Sequence, residues 1–311
     1  MTWLKKLAEA AVFLLLLTLV SFMVVKLAPG DAARSLLRMD TIAVTGQDIE
    51  AQREQLGLNA PIWEQYLSYI ANVARLNFGT STMSSKPVVT ELANAFPGTL
   101  LLAGWSLVVA LVITAVLGIF AARNAGKWQD RLAQGFCLVA SSLPAFWLGL
   151  LLLTVFAVGL GWLPSQGSRP GGLILPVVCL AIVIAPPYVK VFRGSLVEAQ
   201  EMDFVRASRS RGLHEATVFG KHVLRASLIP LVTIMGMSLG SLLGGTVIVE
   251  KIFAIPGIGK LALDALTKRD YAVIQAFILF IGIVVFLINA LVDLSYRWLD
   301  PAIALKERKK A

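Results

Sequence analysis

Long runs of apolar residues dominate the chain and are separated by shorter segments that carry most of its charges. An α-helix needs about 20 apolar residues to cross roughly 30 Å of hydrocarbon. Six stretches reach or approach that length, so the sequence predicts an all-α, polytopic membrane protein with six transmembrane helices. The predicted spans cover residues 7–27, 99–122, 136–160, 173–191, 228–249 and 273–294.

These spans divide the chain into three predicted regions. Residues 1–28 form the first transmembrane helix, and we expect it to be an uncleaved anchor because its apolar run is longer than a typical signal-peptide core. Residues 29–96 form an extracytoplasmic helical loop. Residues 97–311 form a five-helix core that includes a polar cytoplasmic loop at 192–227.

The loop at 29–96 is too long to be a simple connector and has helical signals of its own. Asn59 and Pro61 suit a helix start, and apolar residues recur at helical spacing from Ile62 to Val73. A second short amphipathic stretch is predicted to start at residues 85–87. Two interpretations stay open: a cap over the outer mouth of a pathway, or a packing scaffold between the first two spans.

Basic residues set the predicted orientation. With the N-terminus inside, 17 of the 28 Lys and Arg residues fall in cytoplasmic segments, so both termini are predicted to be cytoplasmic. A hydrophobic content of 57% and a mean hydropathy of +0.76 exclude an ordinary soluble domain. The net charge of +9 does not indicate nucleic-acid binding, because the basic residues flank apolar runs and form no patch interleaved with aromatics.

Candidate chemistry is sparse. Cys137 and Cys179 fall inside apolar segments, and His214 and His222 lack partners at metal-ligand spacing, so neither a metal site nor a catalytic centre is predicted. No ionisable residue lies at the middle of a predicted span, which argues against a self-contained secondary transporter or channel. If the protein moves a substrate uphill, the energy enters from elsewhere.

Glycine and proline interrupt the later spans. Pro186 and Pro187 are expected to kink the fourth span, because each removes a backbone donor. Gly236, Gly240 and Gly244 recur every four residues in the fifth span and leave one helix face almost without side chains. Such a face permits close helix packing, or it can line a substrate passage with backbone. The three glycines are therefore candidate pathway-lining residues.

The cytoplasmic loop contains a segment that is too patterned to be a plain linker. An acidic residue suits its N-terminus, a glycine suits its stop, and Phe204 with Ala207 and Ser208 forms a small apolar face, so a short basic helix is predicted. From chemistry alone it either lies on anionic lipid or docks in a groove of a partner protein. The segment comprises Asp203, Phe204, Val205, Arg206, Ala207, Ser208, Arg209, Ser210, Arg211 and Gly212.

This segment resembles the cytoplasmic loop of ATP-binding-cassette (ABC) importer permeases, specifically the first permease of the dipeptide, oligopeptide and nickel importers. The resemblance continues through further motifs in order along nearly the whole chain. Ala226 departs from it, since relatives often have Asn there. The motifs are DFVRASRSRGL at 203–213, LAPGD at 27–31, FGTS at 78–81, SLPAFW at 142–147, GGTVIVE at 244–250, IFAIPGIG at 252–259, RDYAVIQ at 269–275 and LDP at 299–301.

The resemblance implies a non-enzymatic permease subunit that forms half of a translocation pathway in the bacterial inner membrane. A second, similar permease and two cytoplasmic ATPases are the implied partners, and an extracytoplasmic binding protein delivers the substrate. ATP and magnesium are implied to bind only to the ATPases, which dock on residues 203–212. The substrate implied is nickel, a metal chelate or a small peptide, with a slight preference for the metal.

Overall fold

The computed structural model describes residues 2–27 and 59–299, with side chains for residues 8–27 and 59–292 except Ser241. The fold in these ranges is helical, apart from one isolated bridge between Thr80 and Pro87. In chain order the α-helices are α1 Thr2–Leu27, α2 Ile62–Ala74, α3 Val88–Arg123, α4 Trp128–Ser142, α5 Ala145–Leu152, α6 Ile174–Glu201, α7 Asp203–Ser210, α8 Glu215–Thr217, α9 Leu224–Ile252, α10 Ile258–Lys268 and α11 Tyr271–Leu299. Two π-helical segments, Leu153–Gly159 and Val218–Val223, continue α5 and α8.

Five helical segments of the described ranges are long and apolar enough to cross a membrane, and a bent pair raises the number to six. The third predicted span, residues 136–160, is not one straight helix. It is divided between α4 and α5 with its π-helical continuation, which meet at an angle of 99°. The break falls at Leu143 and Pro144, because Leu143 adopts an extended conformation in front of a proline that cannot donate a backbone hydrogen bond.

Helix α2 confirms the helix expected from Ile62 onwards, whereas the stretch expected to start at 85–87 is not a separate element. It merges with the second span into α3, a single helix of 36 residues. Most of the first half of the predicted loop, residues 28–58, lies outside the described residues. The proposed division at residues 28 and 96 stays a prediction.

The polar segment at 192–227 is largely helical, and its assignment to the cytoplasm stays a prediction. Helix α6 continues past Pro186 and Pro187 and beyond the predicted span end to Glu201, and helical structure resumes at Glu215. A helix satisfies its own backbone hydrogen bonds, so it need not end where the apolar residues end. Only Met202 and the turn at residues 211–214 separate the helical segments here.

The chain divides into two compact units. The first comprises Met1–Pro97 and Gly257–Phe286, and the second comprises Gly98–Pro256 and Leu287–Ala311. In the first unit, buried apolar side chains from α3, α10 and α11 form the core, and α2 packs against α1 through Tyr66 and Tyr69 beside Phe22.

The second unit has two main apolar clusters. One gathers side chains of α5, α6 and the end of α9 around Cys179 and Phe253. The other surrounds Tyr188 and Phe192 on α6 and includes Val205 of α7. This second cluster joins the short helix to the long ones.

Candidate functional site

Helix α7 follows α6 almost directly. Met202 is the only residue between them, and its extended conformation (φ −67°, ψ 146°) turns the chain at that point. Asp203 occupies the first turn, where its negative charge complements the partial positive charge of the helix N-terminus. The helix at 203–210 is thus present where its sequence predicts it.

Gly212 ends α7 in the left-handed region, with φ +75°. Its N–H donates to the carbonyl of Arg209 at 2.9 Å, and the N–H of Leu213 donates to the carbonyl of Ser208 at 3.4 Å. This pair of bonds is the Schellman arrangement, which uses a glycine because a Cβ is disfavoured at positive φ. The predicted helix stop at Gly212 is confirmed.

One face of α7 is anchored in its own chain. Val205 is fully buried in the cluster of Phe192 and Leu196, and Ser208 is also buried. Of the three residues assigned to one apolar face, Phe204 and Ala207 lie together on the exposed side, whereas Ser208 is buried. The anchor of the helix is Val205.

The outward face of α7 combines one large aromatic side chain with charges. Phe204 is 44% exposed, and the neighbouring side chains on this face are mostly charged or small. An exposed aromatic ring set among arginines suits insertion into a pocket of a partner protein. The other exposed residues of this face and its ends are Met202, Asp203, Arg206, Ala207, Ser210, Arg211 and Leu213.

Arg209 ties α7 to the helical segment that follows it. Its Nε and Nη2 donate to the two carboxylate oxygens of Glu215 at 3.1 and 2.7 Å. These hydrogen bonds raise the pKa of the Arg209 guanidinium, so it stays charged. The pair is solvent-exposed and contributes little to stability.

An ion pair between α4 and α6, with a buried acid and a half-buried arginine, was not foreseen from the sequence. Asp130 on α4 is only 2% exposed and accepts two hydrogen bonds from Arg193 on α6, at 3.1 and 2.6 Å. The two residues are 63 positions apart, and no local signal links them.

The three glycines of the fifth predicted span have different surroundings. Gly236 is buried, and a Cβ there would overlap Cγ1 of Val292 on α11. Gly240 is half-buried, and Gly244 is exposed with no atom within 4 Å of the position of a Cβ. Gly236 therefore serves close helix packing, while Gly244 faces open space. Whether any of the three lines a pathway stays a prediction.

Two of the sequence motifs meet in the first unit. Ser81 of the FGTS motif donates a 2.7 Å hydrogen bond to Oδ2 of Asp270 in the RDYAVIQ motif, and both residues are buried. A small polar cavity of about 240 Å³ adjoins this contact. It is lined by Tyr69, Asn72, Asn77, Phe78, Gly79, Ala272 and Gln275.

Within the described residues, no group of three or more His, Cys, Asp or Glu side chains could hold a metal ion. Cys137 and Cys179 are both buried and form no disulfide. Among the described residues, helix α7 and the surfaces beside it form the candidate functional site.

Comparison with known families identifies the class of this membrane protein. The family described as "binding-protein-dependent transport system inner membrane component" matches residues 114–305, and the corresponding N-terminal family matches residues 2–103. The chain belongs to this family of ABC transporter permeases, in its peptide and glutathione branch.

Curated relatives support the same branch. The "Glutathione transport system permease protein GsiC" of Escherichia coli K12 is 40% identical over 303 residues, which cover 97% of this chain and 98% of the relative. The protein of the same name from Salmonella paratyphi A is 40% identical over 304 residues, with the same coverage.

Solved structures agree at the level of the fold. The inward-facing MetNI methionine ABC transporter superposes with a TM-score of 0.58 at 20% identity, covering 68% of this chain and 96% of that chain. An amino acid ABC transporter with histidines gives a TM-score of 0.53 at 15% identity, with coverages of 67% and 94%.

The protein is therefore a multi-pass permease subunit of an inner-membrane ABC importer. It is not catalytic, and ATP is bound by partner ATPases. This family assignment replaces the alternative interpretation, a self-contained secondary transporter or channel. Both GsiC relatives are named for glutathione, so the preference for nickel receives no specific support.

Proposed function

We propose that residues 203–212 are the element through which the partner ATPases move this permease. The observation that carries the proposal is the division of α7 into two faces: Val205 is held in the core, while Phe204 projects outwards. An anchored helix with a protruding aromatic side chain can receive a push from a partner and pass it to its own chain.

The alternative, that α7 simply lies on lipid, fits this geometry less well. A lipid-bound amphipathic helix turns a broad apolar face outwards. Here the apolar Val205 points inwards, and Asp203 and Arg206 share the outward side with Phe204. Such a mixed surface suits a protein groove, in which the charges fix the register of the aromatic ring.

The proposed cycle follows from this docking. ATP closes the dimer of the two cytoplasmic ATPases and draws together the α7 helices of this permease and a second, similar permease. The spans tilt, and the pathway alternates between inward-facing and outward-facing states. The distribution of Lys and Arg supports an orientation with both termini and α7 in the cytoplasm.

We further propose a small peptide as the substrate, with glutathione as the first candidate. The 40% identity to permeases named for glutathione supports this choice, as does the lack of a clustered metal-ligand set among the described residues. In this proposal an extracytoplasmic binding protein delivers the substrate. That protein contacts the permease at the polar cavity beside Asn72 and Gln275. At about 240 Å³ it is smaller than a typical ligand pocket and suits a single side chain of that protein.

The coupling proposal is tested in the assembled transporter with a Phe204→Ala variant. We expect normal amounts of the complex in the membrane, continued ATP hydrolysis, and uptake lowered by about tenfold or more. Trp128→Ala is the matched control, since Trp128 is an exposed aromatic residue of α4 outside α7. Equal loss of uptake in the two variants, or none in Phe204→Ala, would contradict the proposal.

The substrate proposal is tested by uptake of radiolabelled glutathione and of radioactive nickel into the same cells. We expect glutathione uptake that requires this chain and is inhibited by other small peptides. Nickel uptake without glutathione uptake would contradict it.

A further inference from the structure

The carboxylate of Asp130, in the second unit, is buried and accepts four hydrogen bonds. Each oxygen accepts two hydrogen bonds: Oδ1 from Arg193 Nε and from Gln134, and Oδ2 from Arg193 Nη2 and from the N–H of Gly126. The four distances lie between 2.6 and 3.1 Å. A planar guanidinium facing a carboxylate in this way fixes position as well as distance.

With Asp130 buried and Arg193 27% exposed, the pair is poor evidence of a contribution to net stability, since desolvation of the carboxylate offsets much of the attraction. The best-attested use of a buried pair is to select one register between packed elements. Helices α4 and α6 need such a pair only if their other contacts leave their register undetermined.

The buried face of α4 indicates that they do. Its buried residues are Asp130, Ala133, Cys137 and Ala140, at spacings of three and four that place them on one stripe. Apart from Asp130, the stripe consists of small side chains. Small residues let helices approach closely, but they offer no large knob that would stop one helix from sliding along the other. The polar pair at the end of the stripe supplies that stop.

Arg193 is also closely connected to α7. It lies eight residues before Glu201, the last residue of α6, which is about 12 Å along the helix axis at 1.5 Å per residue. Phe192 and Leu196, on either side of it in sequence, pack in the same cluster as Val205. With only Met202 between the two helices and this shared cluster, α6 and α7 are held together next to Arg193 in the sequence.

We propose that the Asp130–Arg193 pair is a register pin that makes α4 follow any displacement of α7. Both are positioning residues that act through α6 and touch neither substrate nor nucleotide. The inference rests on the proposed role of α7 as the docking element. A push on α7 then moves α6 and α4 together, and α4 leads directly into the 99° bend that joins it to α5.

The test uses the complete transporter, purified with its partner subunits and reconstituted in lipid vesicles. Uptake of radiolabelled glutathione and release of phosphate are measured in the same vesicles, which gives the substrate imported per ATP hydrolysed. We expect Asp130→Asn to lower this ratio about tenfold while hydrolysis continues. Arg193→Lys keeps the charge but loses the two-pronged geometry, so its ratio should fall between wild type and Asp130→Asn.

A matched control is Asp264→Asn, which removes a carboxylate from a more exposed ion pair with Lys260. This variant should keep the wild-type ratio, because the contact with Lys260 is long, at 3.9 Å, and both side chains are partly accessible to solvent. An unchanged ratio in assembled Asp130→Asn would overturn the proposal. A proportional loss of uptake and hydrolysis in both Asp130→Asn and Arg193→Lys would also overturn it, since that pattern indicates a pair that only maintains the fold.

Spin labels at the exposed positions Ser210 and Arg131 give a second measurement that does not depend on the substrate. In wild type the distribution of distances between the two labels should stay narrow when ATP is trapped. In Asp130→Asn this distribution should broaden. Phe204→Ala separates the register pin from the docking role of α7. If Phe204→Ala is uncoupled and Asp130→Asn is not, only the register pin fails; if Phe204→Ala is fully coupled, the proposed role of α7 fails.

Discussion

The hydroxyl of Ser81 donates a 2.7 Å hydrogen bond to Oδ2 of Asp270, and this buried contact joins two segments that are 189 positions apart. The same oxygen accepts from the N–H of Met83, and Oδ1 accepts from the N–H of Val273 at the start of α11. One carboxylate thus fixes the turn before α3 and caps α11 within the first unit.

Replacing Asp270 by Ala should destabilise the first unit. Several buried donors would lose their acceptor, at a cost of about 1 to 3 kcal/mol. The midpoint of thermal unfolding in detergent should fall clearly below that of wild type. Asp264→Ala is the control, and similar midpoints for the two variants would contradict the role assigned to Asp270.

Gly212 is expected to tolerate asparagine better than alanine. Its φ of +75° disfavours a Cβ by about 1 to 2 kcal/mol, while asparagine enters this region more readily. Gly212→Ala should therefore lower uptake per ATP more than Gly212→Asn does, with insertion of both unchanged. The control is Gly194→Ala, because Gly194 lies inside α6 with no atom within 4 Å of a Cβ. If the three variants import the same amount of substrate per ATP hydrolysed, the geometry of the helix cap has no role in coupling.

Substitutions at two glycines of α9 should distinguish a role in helix packing from a role in transport. Gly236→Ala places a methyl group against Val292, and overpacking of this kind costs about 1 to 3 kcal/mol. It should lower the thermal midpoint. Gly244→Leu meets no such obstacle, so it should leave the midpoint unchanged and reduce uptake if Gly244 lines the pathway. Wild-type uptake in Gly244→Leu would remove it from the pathway.

The sequence predicted helix α7 and its end well, because both depend on local signals. Asp203 favours a helix start through its negative charge, and Gly212 favours a stop through its backbone preference. The orientation of the helix was less predictable. Phe204 and Val205 are adjacent and both apolar, so they project about 100° apart, and only the surrounding cluster decides which one is buried.

Hydropathy located the spans but not all the helix ends. The apolar stretch at 136–160 is long enough to cross a membrane, and its continuous hydrophobicity hides the break at Pro144. Helix α6 extends to Glu201 for the opposite reason, since polar residues outside the bilayer can continue a helix. The pair of Asp130 and Arg193 is a tertiary contact between distant residues, which a single sequence does not reveal.

Crosslinking from position 204 shows whether α7 docks on a partner ATPase. A photoreactive phenylalanine analogue at Phe204 is illuminated in membranes that contain the assembled transporter, with the same analogue at Trp128 as the control. Docking through α7 predicts that position 204 captures the ATPase subunit and that position 128 does not. Capture of lipid alone at position 204, in a transporter that still hydrolyses ATP, would contradict it.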